Sequence, residues 1–258
     1  MTVKFPMKIL AVEFSTSQRS VALWDAPSNS GGASVLPSST AAQRGISDEP
    51  PFSSPTLLST IIEPPPPPKV SRSPFPPQRS LSLVTEALQK ANCVKEEIEI
   101  IAVGLGPGSY TGIRGGIALA QGWQLGRAIR LLGISTVECL AAQAHATGRR
   151  GQVNIIIDAQ RNEFYLAQYE IAAEGCHETG PLRLASPAEI QALSAAGQVL
   201  LGPELAKWFA QAEEVYPDAA MLGRLACGRR DFVPGEKLEP IYLRETAFKK
   251  APPPRHLS

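Results

Sequence analysis

The chain has 258 residues, 43% of them hydrophobic, with 25 Lys and Arg against 24 Asp and Glu. That length allows one large domain or two small ones around a sizeable core, and the near-neutral charge argues against unaided binding to nucleic acid, which needs an excess of cations to neutralise phosphates. Cys93, Cys139, Cys176 and Cys227 are far apart with no C-x-x-C spacing, so they are expected to be reduced, mostly buried thiols.

The opening MTVKFPMKILAVEFSTS carries an apolar run too short for a signal peptide, and Arg127 and Arg130 interrupt the best membrane-span candidate, so a cytoplasmic protein is expected. KILAVEFSTS and SVALWD read as two strands around a polar turn. From about residue 26 to 79 the composition shifts to Pro, Ser and Gly, including EPPPPPK and SPFPPQRS. Such a stretch buries too little apolar surface to offset its ordering entropy, and a disordered insertion is expected there. SLVTEALQKANC then reads as a helix, EIIAVGLG as a strand, and a long helix begins near Ser109. RLLGIS is a short strand and TVECLAAQAHATG a helix. At Val153 the chain restarts: VNIIIDAQRNEFYLAQYE is again strand, turn, strand, with Asp158 falling where Glu13 falls in the opening hairpin. A repeated unit of this kind implies two α/β lobes. The second continues with SPAEIQAL as a helix, GQVLLG as a strand and PELAKWFAQAE as a helix, and looks shorter than the first.

GLGPGSYTGIRGG, residues 104–116, raises the question of a phosphate cradle, because a glycine-rich turn before a helix aims N–H groups at an anion. It lacks the Gly-Lys-Ser/Thr of a Walker A loop and is not G-x-G-x-x-G. The glycines that crowd the following helix weaken it by up to about 1 kcal/mol each relative to alanine, and small residues three and four apart instead suggest clearance for a packed helix. Ser109 suits an N-cap.

MKILAVEFSTSQRSVALWD, IAVGLGPGSYTGIRGGIALAQG, LLGISTVECLAAQA, IDAQRNEFYLAQY and the tail PIYLRETAFKK occur in the order of the TsaB family, which the chain resembles over nearly its whole length outside the insertion. The resemblance implies an α/β fold of the actin, sugar kinase and Hsp70-like (ASKHA) type with two RNase H-like lobes, the second degenerate. The expected lobes are 1–150, carrying the insertion, and 151–258. It also implies a role: the dimerisation subunit of the bacterial machinery that makes threonylcarbamoyladenosine in tRNA. That subunit is a non-catalytic paralogue that binds the catalytic subunit TsaD, with the ATPase TsaE joining the assembly. The expected partner interface comprises Leu83, Leu88, Tyr110, Gly112, Ile113, Arg114, Gly116, Ile117 and Ala120. Alone, the same face is expected to form a homodimer; tRNA is expected only through the complex, and no membrane is involved.

The catalytic paralogue holds a metal through a His-x-x-x-His pair, whereas TVECLAAQAHATG has only His145, so neither metal nor cofactor is expected. Glu13 and Asp158, with Ser15 and Thr16, occupy the places where kinases of this fold handle magnesium and phosphate, which makes them a vestigial anion site. Glu13 departs from the aspartate usual in the family, and the second lobe lacks a glycine-rich adenosine loop. A weak ATPase or kinase-like enzyme is the rival reading. An old peptidase label for the family finds no nucleophile with its base here, and Arg149-Arg150 and Lys249-Lys250 are the best case for direct tRNA contact. Arg114 reads equally as a partner contact or a solvated helix arginine.

Overall fold

The computed structural model describes residues 7–26, 54–65 and 77–243. Five strands form the first sheet: β1 (Met7–Glu13), β2 (Arg19–Ala26), β3 (Thr56–Glu63), β4 (Ile98–Gly104) and β5 (Arg130–Ile134), ordered β3-β2-β1-β4-β5. The β1, β2 and β3 neighbours run antiparallel, while β4 lies parallel to both β1 and β5. The central strands are almost wholly apolar because both faces of the sheet are covered. Leu10, Val12, Val21, Leu23, Ile101 and Val103 point to one core, and the alternate residues Ile9, Ala11, Ala22, Trp24, Ile100 and Ala102 point to the other. Helices α1 (Pro77–Lys90) and α2 (Tyr110–Gly126) cover the first face.

The strand β3 lies inside the stretch expected to be disordered, which corrects that expectation for residues 56–63. Averaged over the insertion, Pro and Ser mask an eight-residue strand whose Leu58 and Ile61 reach the first core. Ser59 is buried and donates its hydroxyl to the Ala87 carbonyl of α1 at 2.8 Å. Since Asp25 pairs with Thr56, the intervening residues are an insertion between two hairpin strands. Residues 27–53 and 66–76 lie outside the described residues, and α1 begins at Pro77.

The second sheet repeats the topology. Its strands are β6 (Gly151–Asp158), β7 (Phe164–Ile171), β8 (Cys176–Ala185), β9 (Val199–Gly202) and β10 (Glu213–Glu214), ordered β8-β7-β6-β9-β10. Again the first three are antiparallel and the last two parallel. The reading of the sequence passed over β8, an edge strand whose CHETGPLRLA is mostly exposed and interrupted by glycine and proline. Helix α4 (Pro187–Ala195) packs Ile190 beneath β6, β7 and β9. PELAKWFAQAE is not the helix its periodicity suggests. Only Leu205–Lys207 turns, as one 3-10 cycle entered through Glu204 in the left-handed region (φ 56°). Leu205 and Phe209 are both drawn into the small core there, Phe209 lying 5.3 Å from the Phe164 ring.

Two helices cross between the sheets. Helix α3 (Thr136–Ala146) follows β5, yet Val137, Leu140, Ala141 and Ala144 pack against β6 and β7. Helix α5 (Ala219–Cys227) follows β10, yet Ala219, Leu222 and Ala226 complete the core of the first sheet. The expected assignment of all of 151–258 to the second lobe therefore needs correcting for residues 219–242, which pack with the first sheet. The small residues of AAMLGRLAC fit beneath the bulky Trp24, whose ring lies against Gly223.

Candidate functional site

Glu13 ends β1 and is fully buried. Its Oε1 accepts the Ser15 backbone N–H at 2.7 Å, so the carboxylate caps its own hairpin turn. Oε2 rests against Gly104, where a Cβ would collide with it, and has no hydrogen-bond partner among the described residues. Burial pushes the Glu13 carboxyl up to about 7, the Ser15 hydrogen bonds oppose the rise, and the nearby Asp218 charge adds to it.

The groups around it are taken up by the chain itself. The Ser15 hydroxyl accepts from Thr136 Oγ1 at 2.9 Å and the Ser15 carbonyl from the Ser109 N–H at 2.6 Å. Thr16 Oγ1 donates to the Gln18 carbonyl at 2.9 Å. Asp218 caps α5 through the Met221 N–H at 2.7 Å and receives Gln143 Nε2 at 2.9 Å. Burial holds the neighbouring Cys139 thiol well above its usual range, and this cysteine is a free, inert packing group.

Asp158 ends β6 as Glu13 ends β1, and its Oδ1 accepts the Gln160 N–H at 2.8 Å, the same two-residue cap. Here the turn is exposed. Asp158 meets Lys207 Nζ at 3.7 Å, and Gln160, Arg161 and Asn162 all sit in the left-handed region at φ 63°, 55° and 61°. The two acids thus share a local job. The residue whose charge bears on Glu13 is Asp218, which the sequence reading missed although an Asp before a short apolar run is an N-cap signal.

Ser109 caps α2 as anticipated, accepting the Gly112 N–H at 3.3 Å. The faces of α2 correct much of the expected interface. Gly112, Ile113, Gly116, Ile117 and Ala120 are buried toward the chain's own sheet, and Leu83 of α1 joins them, with Leu88 partly buried. A Cβ at Gly112 would run into the Phe14 carbonyl oxygen, and Gly116 lies against Val103, Val12 and Phe14. These glycines give clearance to the neighbouring strands, because the helix lies close over the β1 and β4 ends. Of the expected interface residues, Tyr110 and Arg114 are exposed. With them on the outer face lie Thr111, Ala118, Gly122 and Leu125, the last 91% exposed. Nothing lies within 4 Å of a Cβ built at Gly122.

The chain's last described segment borders this face. Val233 N–H bonds the Leu131 carbonyl at 3.0 Å, Leu238 is buried in the first core, and Ile241 N–H bonds the Leu105 carbonyl at 2.9 Å. Tyr242 stacks on Tyr110 with centroids 5.6 Å apart. Sequence reading quoted this tail but gave Tyr242 no role, since nothing local reveals which helix it meets. His145, the lone helix histidine, bonds the Ala173 carbonyl at 3.1 Å. No group of three or more His, Cys, Asp or Glu among the described residues is arranged to hold a metal ion, and no described helix is long and apolar enough to cross a membrane.

Two sheets of one topology with crossing helices define an α/β protein of the actin, sugar kinase and Hsp70-like fold. Residues 77–230 match the family model of TsaD, tRNA N6-adenosine threonylcarbamoyltransferase. The chain is 31% identical over 193 residues to the tRNA threonylcarbamoyladenosine biosynthesis protein TsaB of Escherichia coli (strain K12), spanning 68% of this chain and 84% of that protein. It is 33% identical to the protein of the same name from Haemophilus influenzae over 91 residues, 35% of this chain and 39% of that one. YeaZ from Pseudomonas aeruginosa, at 23% identity, superposes with a TM-score of 0.65 over 92% of this chain and all of its own. The chain belongs to the TsaB family.

Proposed function

We propose that this chain is a non-catalytic subunit of the bacterial system that makes threonylcarbamoyladenosine in tRNA, binding the catalytic paralogue TsaD through the outer face of α1 and α2, with TsaE joining the pair. The relative in Escherichia coli carries that biosynthetic role in its name. The observation that carries the reading is the outer stripe of α2: Thr111, Ala118 and Gly122 are small and uncommitted, with Leu125 exposed at its end. A smooth, weakly polar helix face of this kind suits another helix laid against it. Without TsaD, the same face pairs two copies of this chain.

The hairpin acids support a scaffold over an ATPase. Glu13 is sealed in the core and Asp158 is paired with Lys207, each already used to cap its own turn. An added phosphate would meet a buried carboxyl in the first lobe. tRNA is reached through the assembled complex, in the cytoplasm.

The test mixes purified protein with the TsaD of the same genome. Binding is expected for the wild type, and Ala118→Glu, which buries a charge against an apolar partner, should weaken it by more than about 100-fold while leaving the thermal melt unchanged. A melt-neutral Ala118→Glu that still binds TsaD and supports tRNA modification overturns the proposed face. Magnesium-dependent ATP hydrolysis by the isolated chain overturns the scaffold role.

A further inference from the structure

Residues 233–242 run along α2 from its last turns to its first. Gly235 N–H bonds Gln124 Oε1 at 2.9 Å and Gln121 Nε2 bonds the Gly235 carbonyl at 2.8 Å; Leu238 is buried, and Ile241 is fixed to Leu105. This strap delivers Tyr242 to the exposed ring of Tyr110, the two rings tilted by only 23°. Arg114, one turn on from Tyr110, lays its guanidinium 4.5 Å above the Tyr110 ring and points Nε at the Tyr242 hydroxyl at 3.4 Å. Tyr110 and Tyr242 remain 56% and 39% exposed. Nη1 and Nη2 of Arg114 have no hydrogen-bond partner among the described residues.

We infer that the C-terminal strap is a positioning element of the partner face: Tyr242, stacked on Tyr110, holds Arg114 so that its two terminal nitrogens meet a carboxylate of the bound protein. An arginine laid on one tyrosine ring and tethered at Nε to the hydroxyl of a second has lost part of its rotamer freedom before the partner arrives, and its two terminal N–H groups match a planar bidentate acceptor. A protein carboxylate fits better than a nucleic-acid phosphate because Arg114 is the one charged residue of α2. Arg127, just past the far end of α2, is turned onto the Lys95 and Glu96 carbonyls, and Arg79 of α1 onto Glu63. Phosphate backbones are held by several cations in a row, and α2 offers one.

The inference rests on the proposed TsaD interface and is tested by titration calorimetry of the full chain with TsaD at several salt concentrations. Arg114→Ala is expected to weaken binding about 10-fold or more and to flatten its salt dependence, with Arg114→Lys failing to restore it. Tyr242→Ala should weaken binding about fivefold, and Tyr242→Phe, which keeps the stack but removes the hydroxyl that Arg114 Nε meets, about threefold. Because Tyr242 acts through Arg114, the double variant should bind no worse than Arg114→Ala alone.

Additive losses, or an unaffected Tyr242→Ala, overturn the inference. If the wild type binds TsaD and Ala118→Glu abolishes it while Arg114→Ala does not, this inference falls and the proposed function stands. If the wild type does not bind TsaD, both fall. If Arg114→Ala spares TsaD affinity and lowers tRNA retention by the assembled complex, the acceptor is a phosphate and the inference is wrong.

Discussion

The two sheets share one strand order and differ in what joins their parallel strands. Between β4 and β5 the first sheet has the 17-residue α2; between β9 and β10 the second has one 3-10 turn, Leu205–Lys207. The hairpin turns differ too. Residues Phe14 to Thr16 are buried beneath α2 and α3, whereas Gln160 to Asn162 stand in solvent. Strand order is fixed by backbone ladders and the alternation of two cores, which tolerate no slip. A crossover helix carries no such constraint, so one lobe can keep a full helix whose outer face is smooth while the other shortens it. The retained helix is where the partner face is proposed, and the hairpin acids that invite comparison with kinases are in both lobes turn caps.

The sharpest way to break this account is within α2 itself. Gly112→Leu forces a side chain into the Phe14 carbonyl and is expected to cost about 3 kcal/mol or more, read by denaturant unfolding. Gly122→Ala, on the open outer face, should instead stabilise the isolated chain by about 0.5–1 kcal/mol through helix propensity. Equal effects at the two positions would mean the helix is not held inward as described.

The next contrast sets Glu13 against Asp158. Glu13 is raised from 4.5 to about 7 in the folded chain. Below pH 4.5 both folded and unfolded forms hold the proton, between 4.5 and 7 only the folded form does, and above 7 neither does. Stability should therefore decline as pH rises through that window by roughly 3 kcal/mol relative to Glu13→Gln, which has no such proton to lose. Urea melts of both proteins at pH 4.5, 6 and 8 test the sign. Asp158→Asn keeps an oxygen acceptor for the Gln160 N–H in an exposed turn and should change stability by less than about 0.5 kcal/mol.

A further small effect belongs to the second hairpin alone. Arg161→Gly relieves a left-handed residue at φ 55° and should raise stability by about 0.5–1 kcal/mol, a shift of a few degrees in melting temperature. A loss instead would mean the arginine side chain holds the turn.

Much of the architecture was legible because it rests on local pattern. The apolar runs around Val12, Ile101 and Ile156 announce buried strands, the second hairpin repeats the first with Asp158 in the place of Glu13, and Ser109 signals the start of α2. The strand β3 was lost to the Pro and Ser around it, and β8 to its exposure, since an edge strand has little hydrophobic pattern to read. At the candidate site the sequence picked out the glycine-rich helix and misjudged its faces. Spacing shows that Gly112, Gly116 and Ala118 are small, and only the packing of α2 on β1 and β4 decides which of them look inward.

The sequence by itself determined two repeated α/β units, the cap of α2 and the acids at the two turns, because each depends on residues a few positions apart. Tertiary structure alone decided that α5 returns to the first sheet, that Asp218 lies near Glu13, and that Tyr242 reaches Tyr110 and Arg114. Those pairings join residues more than a hundred positions apart, and they are set by which cores remain to be covered once the strands have paired, a quantity no local run of sequence contains.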